Sequence, residues 1–154
     1  MTDMRDTIAQ AMKQAMKDKD KVALATIRLI SAALKDRDIA ARGDDRHDGI
    51  SDDEILAMLQ TMIKQRHESA RMYKDGGRAD LMETEQAEIA IIQQFLPEPL
   101  TEAEVVAAIK AAISSTDAAS VKDMGKVMAH LKAEYAGQMD FSAVSQLVKS
   151  RLMG

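Results

Sequence analysis

The stretch Ser51–Gly77, SDDEILAMLQTMIKQRHESARMYKDGG, contains the signals of one complete α-helix. It opens on Ser51 with Glu54 three residues later. This is a capping box, in which the serine hydroxyl accepts from a backbone N–H one turn on and the glutamate reaches back. Asp52, Asp53 and Glu54 complement the positive end of the helix dipole. Ile55, Leu59, Met62 and Tyr73 form one apolar stripe as far as about Lys74, and Gly76-Gly77 ends the helix.

The same punctuation repeats outward. Toward the N-terminus, a helix from about Lys21 to Arg42 puts Leu24, Ile27, Ile30 and Leu34 inward and stops at Gly43. Before it, a helix from about Asp6 to Lys19 carries Ile8, Met12, Ala15 and Met16 on one face and Lys13 and Lys17 on the other. Toward the C-terminus, a fourth helix runs from about Ala79 to Phe95 and is closed by Pro97 and Pro99. A second capping box, Thr101 with Glu104, opens a fifth helix reaching about Ser114. Ser120 caps a sixth over Val121–Tyr135, Gly137 ends it, and Asp140 caps a seventh from Phe141 to about Leu152. The polar loop Gly43–Gly49 between the second and third helices reads as a flexible connector.

Composition agrees with an all-α fold. Apolar residues make up 46% of the 154 residues but aromatics only 3%, so the core must come from Ala, Leu, Ile, Val and twelve Met. Strands, which favour branched and aromatic residues, are not expected. Phe95–Pro99 is the proline-bearing segment, and the charge balance changes across it. The expected organisation is a four-helix N-terminal unit of helical hairpins over 1–96, a Pro linker at 97–100, and a three-helix tail domain over 101–154.

With no cysteine in the chain, disulfides and thiolate chemistry are excluded, and a cytoplasmic setting is expected. The N-terminal Met1–Asp6 carries acids and no long apolar run, so no secretory signal is expected there, and no stretch approaches the ~20 apolar residues that span a bilayer. The net charge of −4 is unevenly spread: residues 1–42 carry +3, residues 43–99 carry −7, and residues 100–154 are neutral. Positive faces can therefore still meet a polyanion.

Several residues do not read as core filler. Lys21, Arg28, Lys35 and Arg42 recur every seven residues along the second helix, which drifts only about 20° per repeat, so they form one basic stripe. It serves either as a solvated face or as a ridge that tracks phosphates. Arg66 falls inside the apolar stripe of the third helix, and Glu85 and Glu88 fall on the apolar face of the fourth. An unpaired buried charge costs several kcal/mol, so Arg66 is expected to pair with Glu85 or Glu88. Two such acids would also suit general acid–base catalysis or a metal, but no third ligand is suitably placed, and no catalytic, metal or cofactor site is expected. His47 among Asp44, Asp45 and Asp48 reads as loop, and His67 as a polar helix edge.

In the tail, Ser120-Val121-Lys122-Asp123-Met124-Gly125-Lys126-Val127-Met128 stands out. Met124, Val127, Met128, Leu131 and Tyr135 share one helical face, with Lys122, Lys126 and His130 on the other. A glycine inside a helix costs roughly 1 kcal/mol relative to Ala, so Gly125 implies a close neighbour there. That neighbour is either the adjacent helix or a nucleic-acid backbone.

These residues resemble the YqeY family, stand-alone relatives of the tail of the GatB subunit of bacterial tRNA-dependent amidotransferases. The resemblance runs through Met12–Lys17, Arg28 with Ala32–Lys35, Ile63–Arg66 with Ser69 and Tyr73, and Gly77–Leu81. It continues through Glu85, Glu88 and Phe95–Pro97, and is most specific at Lys122–Met128. The chain departs from the commonest tail pattern at Ala129, where a second glycine is frequent, and at Leu131-Lys132, where Met-Pro is often found. The resemblance implies that Lys122, Gly125 and Lys126 face tRNA. It implies a non-catalytic, bacterial accessory module that works with an aminoacyl-tRNA synthetase or amidotransferase and is not an enzyme alone. The same association raises participation in carbon–nitrogen ligation with glutamine as amido-N-donor. A third reading is a protein-binding scaffold using Met-rich helix faces. Neither membrane nor DNA is expected as a partner.

Overall fold

In a computed structural model, residues 3–154 are described; Met1 and Thr2, part of the stretch read for a secretory signal, lie outside them. The described residues form seven α-helices and no strand: α1 Met4–Lys17, α2 Lys21–Gly43, α3 Asp52–Asp75, α4 Ala79–Gln93, α5 Glu102–Ser115, α6 Met124–Glu134 and α7 Phe141–Leu152. None is long and apolar enough to cross a membrane. Polar side chains set most of the starts. Asp3 accepts from the Asp6 N–H at 2.8 Å, which begins α1 two residues before the expected Asp6. Asp20 caps α2, while Ser51 with Glu54 and Thr101 with Glu104 form complete capping boxes on α3 and α5. Asp140 caps α7 through Ser142 and Ala143.

The chain divides into two compact units, one ending at Leu96 and the other beginning at Pro97. In the first, α3 and α4 pair most extensively, and α2 packs on α1 and α4. Ile30, Ile55, Met58, Leu59 and Ile92 are fully buried there. In the second, Ile109, Ala112, Val127, Leu131 and Val148 form the core. The proline segment belongs to this second unit. The Leu100 N–H donates to the Gln138 carbonyl at 3.1 Å, the Gln138 amide donates to the Glu98 carbonyl at 3.2 Å, and Leu100 packs on the tail core.

Two expectations are corrected. The sixth helix is not continuous over Val121–Tyr135: a 3₁₀ turn, Val121–Asp123, precedes α6. The loop at 43–49 is not a free connector, because it is tied at two points, Arg46 in its middle and Ile50 just after its C-terminal end. Arg46 makes a two-pronged ion pair with Glu54 on the first turn of α3. At the C-terminal end, the Arg5 guanidinium donates to Asp38 Oδ1 at 2.6 Å and to the Ile50 carbonyl at 2.9 Å, and the Ile50 N–H donates to the same Asp38 oxygen at 2.9 Å. Burial raises the Asp38 pKa, but the Ile50 N–H and the Arg5 guanidinium outweigh it and hold it below the usual range. Gly49 completes this knot with φ +81°, and a Cβ there would sit 2.7 Å from Asp38 Cγ and 2.9 Å from Arg5 Nη2.

Two outcomes follow. Gly49→Ala should cost about 1–3 kcal/mol in denaturant unfolding, since it adds both backbone strain and a clash. Glu54 is held at about 2, chiefly by the Arg46 hydrogen bond and then by the Ser51 N–H. Its folded pKa lies below its unfolded value of 4.5, so its stabilisation is present above that value and fades as pH falls toward about 2. The difference in Tm between the native protein and Glu54→Gln should close over that window; a constant difference would contradict the assignment.

Candidate nucleic-acid interface

The entry to α6 is shaped by one carboxylate. Asp123 Oδ2 accepts from the Ala119 N–H at 2.9 Å and the Ser120 N–H at 3.3 Å, while the Ser120 hydroxyl accepts from the Lys122 N–H at 3.3 Å. These bonds, with the Asp123 N–H donating to the Ser120 carbonyl at 2.9 Å, brace the 3₁₀ turn by satisfying backbone donors at the start of the helix. The Ala119 N–H, then the Ser120 N–H, hold the Asp123 carboxyl below its ordinary pKa, with the Lys126 charge adding to the effect. Lys126 Nζ lies 3.8 Å from Asp123 Oδ1 with its side chain 68% exposed, and Lys122 is exposed one turn earlier. His130 Nε2 lies 3.6 Å from Glu134 on the same helix.

Gly125 sits between the two lysines in the first turn of α6. It is exposed, its φ is not in the left-handed region, and a Cβ built on it meets nothing within 4 Å. Packing against a neighbouring helix, one of the two readings of this glycine, is therefore corrected. The reason is rotational. Val127 and Leu131, the buried residues of α6, lie two and six positions on, which places them on roughly the opposite side of the helix from Gly125.

The cations of the basic stripe, Lys21, Arg28, Lys35 and Arg42, are all exposed on α2. They belong to the first unit, and the Lys122–Lys126 motif to the second. Lys35 and Arg42 border a groove between α1 and α2. Arg66 and Glu88 meet between α3 and α4: Arg66 Nε donates to Glu88 Oε2 at 2.8 Å, and Nη1 donates to the Met62 carbonyl at 3.2 Å. Both side chains are largely but not fully buried, 15% and 22% exposed. Glu85, three residues earlier on α4, is half-buried. Among the described residues, no group of three His, Asp or Glu side chains is arranged to hold a metal ion. The Arg5–Asp38–Ile50 knot was not foreseen from the sequence, and the spacing of its members, 33 and 45 residues, leaves no local signal for it.

Residues 5–152 match the profile of the family described as Yqey-like protein. The chain belongs to the YqeY family. It is 28% identical over 141 residues to a protein of Pyrenophora tritici-repentis named Altered inheritance of mitochondria protein 41, mitochondrial, covering 90% of this chain and 75% of that one. Proteins of the same name from Lachancea thermotolerans and Meyerozyma guilliermondii are 28% and 36% identical, over 92% and 59% of this chain and 75% and 45% of theirs. These relatives are named as mitochondrial proteins, which overturns the cytoplasmic expectation. The relatives are fungal, and they give the bacterial setting no support.

The Arg66–Glu88 pair makes a selective prediction. Glu88→Gln should cost about 1–2 kcal/mol of unfolding free energy by weakening a charge-assisted bond to a largely buried guanidinium. Glu85→Gln should change it by no more than about 0.5 kcal/mol. Equal losses would show that Arg66 is shared between the two acids.

Proposed function

We propose that this protein is a non-catalytic tRNA-binding module, an accessory to an aminoacyl-tRNA synthetase or amidotransferase, and that its tail holds the RNA. The observation that carries this reading is Gly125. A helical glycine with nothing within 4 Å of its missing Cβ has no packing reason inside the tail unit to be glycine. Its bare backbone lies between two exposed lysines at the positive end of a helix, a setting in which a phosphate or ribose can approach closely. The Asp123 ties support the same reading, because they hold this turn in shape before any ligand arrives. Cations without aromatic neighbours are suited to backbone contact rather than base reading. On the first unit, Lys21 and Arg28, the cations of the α2 stripe that do not border the α1–α2 groove, supply further positive charge. The relatives' mitochondrial naming makes an organelle the setting in which the RNA is to be sought.

The reading separates stability from binding. Gly125→Ala should raise unfolding stability by up to about 1 kcal/mol, because alanine favours the helix and meets no clash. The same change should weaken tRNA binding in a filter or fluorescence titration. Lys122→Ala and Lys126→Ala should each shallow the log–log salt dependence of tRNA affinity by about one unit. No tRNA binding at low salt, or unchanged binding by Gly125→Ala, would contradict the proposal.

A further inference from the structure

The groove between α1 and α2, about 700 Å³, is formed by one face of each of two consecutive helices. Its floor is apolar: Ile8, Met12 and Met16 recur at four-residue steps on α1, opposite Leu34 and Ile39 of α2. Ile8 and Leu34 belong to the core, but Met16 and Ile39 are 54% and 53% exposed. The edges are cationic, with Lys13 on α1 and Lys35 and Arg42 on α2. The single acid of the lining, Asp38, is held by Arg5 at 2.6 Å. Among the described residues, no carboxylate forms an ion pair with Lys13 or Lys35.

An apolar floor between basic edges does not suit nucleic acid well. Phosphates leave Met16 and Ile39 uncovered, and the lining has no aromatic ring on which a base could stack. It does suit a helix whose apolar stripe fills the floor and whose acidic flanks meet the lysines and the arginine. The α1 face from Arg5 to Met16 spans roughly 16 Å, room for about three turns of such a helix. Methionines at the floor adapt to the branched side chains of an incoming helix.

We infer that the α1–α2 groove is a docking site for an acidic amphipathic helix of a partner protein, with Lys13, Lys35 and Arg42 selecting for its negative flanks. This inference is independent of the RNA-binding reading, which rests on the tail. Lys35 and Arg42 are thereby assigned to a protein partner rather than to phosphates.

The test uses the full chain and a matched pair of synthetic helical peptides of about sixteen residues. Both carry the same leucine stripe, one with glutamate flanks and the other with lysine flanks. The glutamate peptide should bind at least about tenfold tighter than its lysine twin, a difference of about 1.4 kcal/mol. The double variant Lys35→Glu/Arg42→Glu should reverse that order. Each substituted side chain is exposed, and a circular dichroism melt establishes that the variant is folded. Should it be unfolded, Lys13→Glu, on the other helix, supplies the same test. A stem–loop RNA added at equal concentration should not displace the glutamate peptide. Equal binding of the two peptides, no binding of either, displacement by RNA, or capture of a second copy of the chain in place of the peptide would each overturn the assignment.

Discussion

The backbone groups left unpaired at helix ends are the constraint on which this structure depends. Every α-helix begins with N–H groups that no carbonyl of its own can satisfy, and a chain that starts a new helix seven times among its described residues meets that problem repeatedly. Five of the seven helices described solve it with a short polar side chain, from Asp3, Asp20, Ser51, Thr101 or Asp140. These caps fix where each helix starts, and the starts fix which apolar residues face inward. With aromatics so scarce, the core is then assembled from Ile, Leu, Met, Val and Ala.

The same constraint shapes the tail motif. Ser120 and Asp123 satisfy the donors at 119, 120 and 122 and brace the 3₁₀ turn through which the chain enters α6. Lys122, Gly125 and Lys126 then stand on a preformed surface rather than a loose strand of chain. What would otherwise be only a helix cap would thus double as the support of the proposed RNA-binding face. In the first unit the corresponding work is done at longer range, where Arg5 and Asp38 tie α1 and α2 to Ile50, just before α3, and also line the basic-edged groove.

Legibility in the sequence followed the range of the interaction. Ser51 with Glu54 and Thr101 with Glu104 are contacts across three residues, and the capping boxes on α3 and α5 are visible as strings. Helix type and number follow from the apolar periodicity for the same reason. That Arg66 needs an acid is readable, because charge on an apolar stripe demands a partner. Which acid it takes depends on the register of α4 against α3, and Glu88 rather than Glu85 is set by packing that no local spacing encodes. Gly125 shows the opposite limit. Its identity marks an unusual position, but whether its missing Cβ faces a helix or open space is a tertiary property. The loop at 43–49 reads as polar and loose, since its anchors Arg5 and Asp38 lie on other helices.

The claim at the centre of this account is that the α6 entry is a face built for RNA. A titration of tRNA into the full-length protein, uniformly ¹⁵N-labelled and followed by NMR, tests it most directly. The account predicts that the amide signals of Lys122, Gly125 and Lys126 shift first and furthest, while those of the buried Val127 and Leu131 move little. Shifts that spare residues 120–126, or no shifts at all, would contradict it.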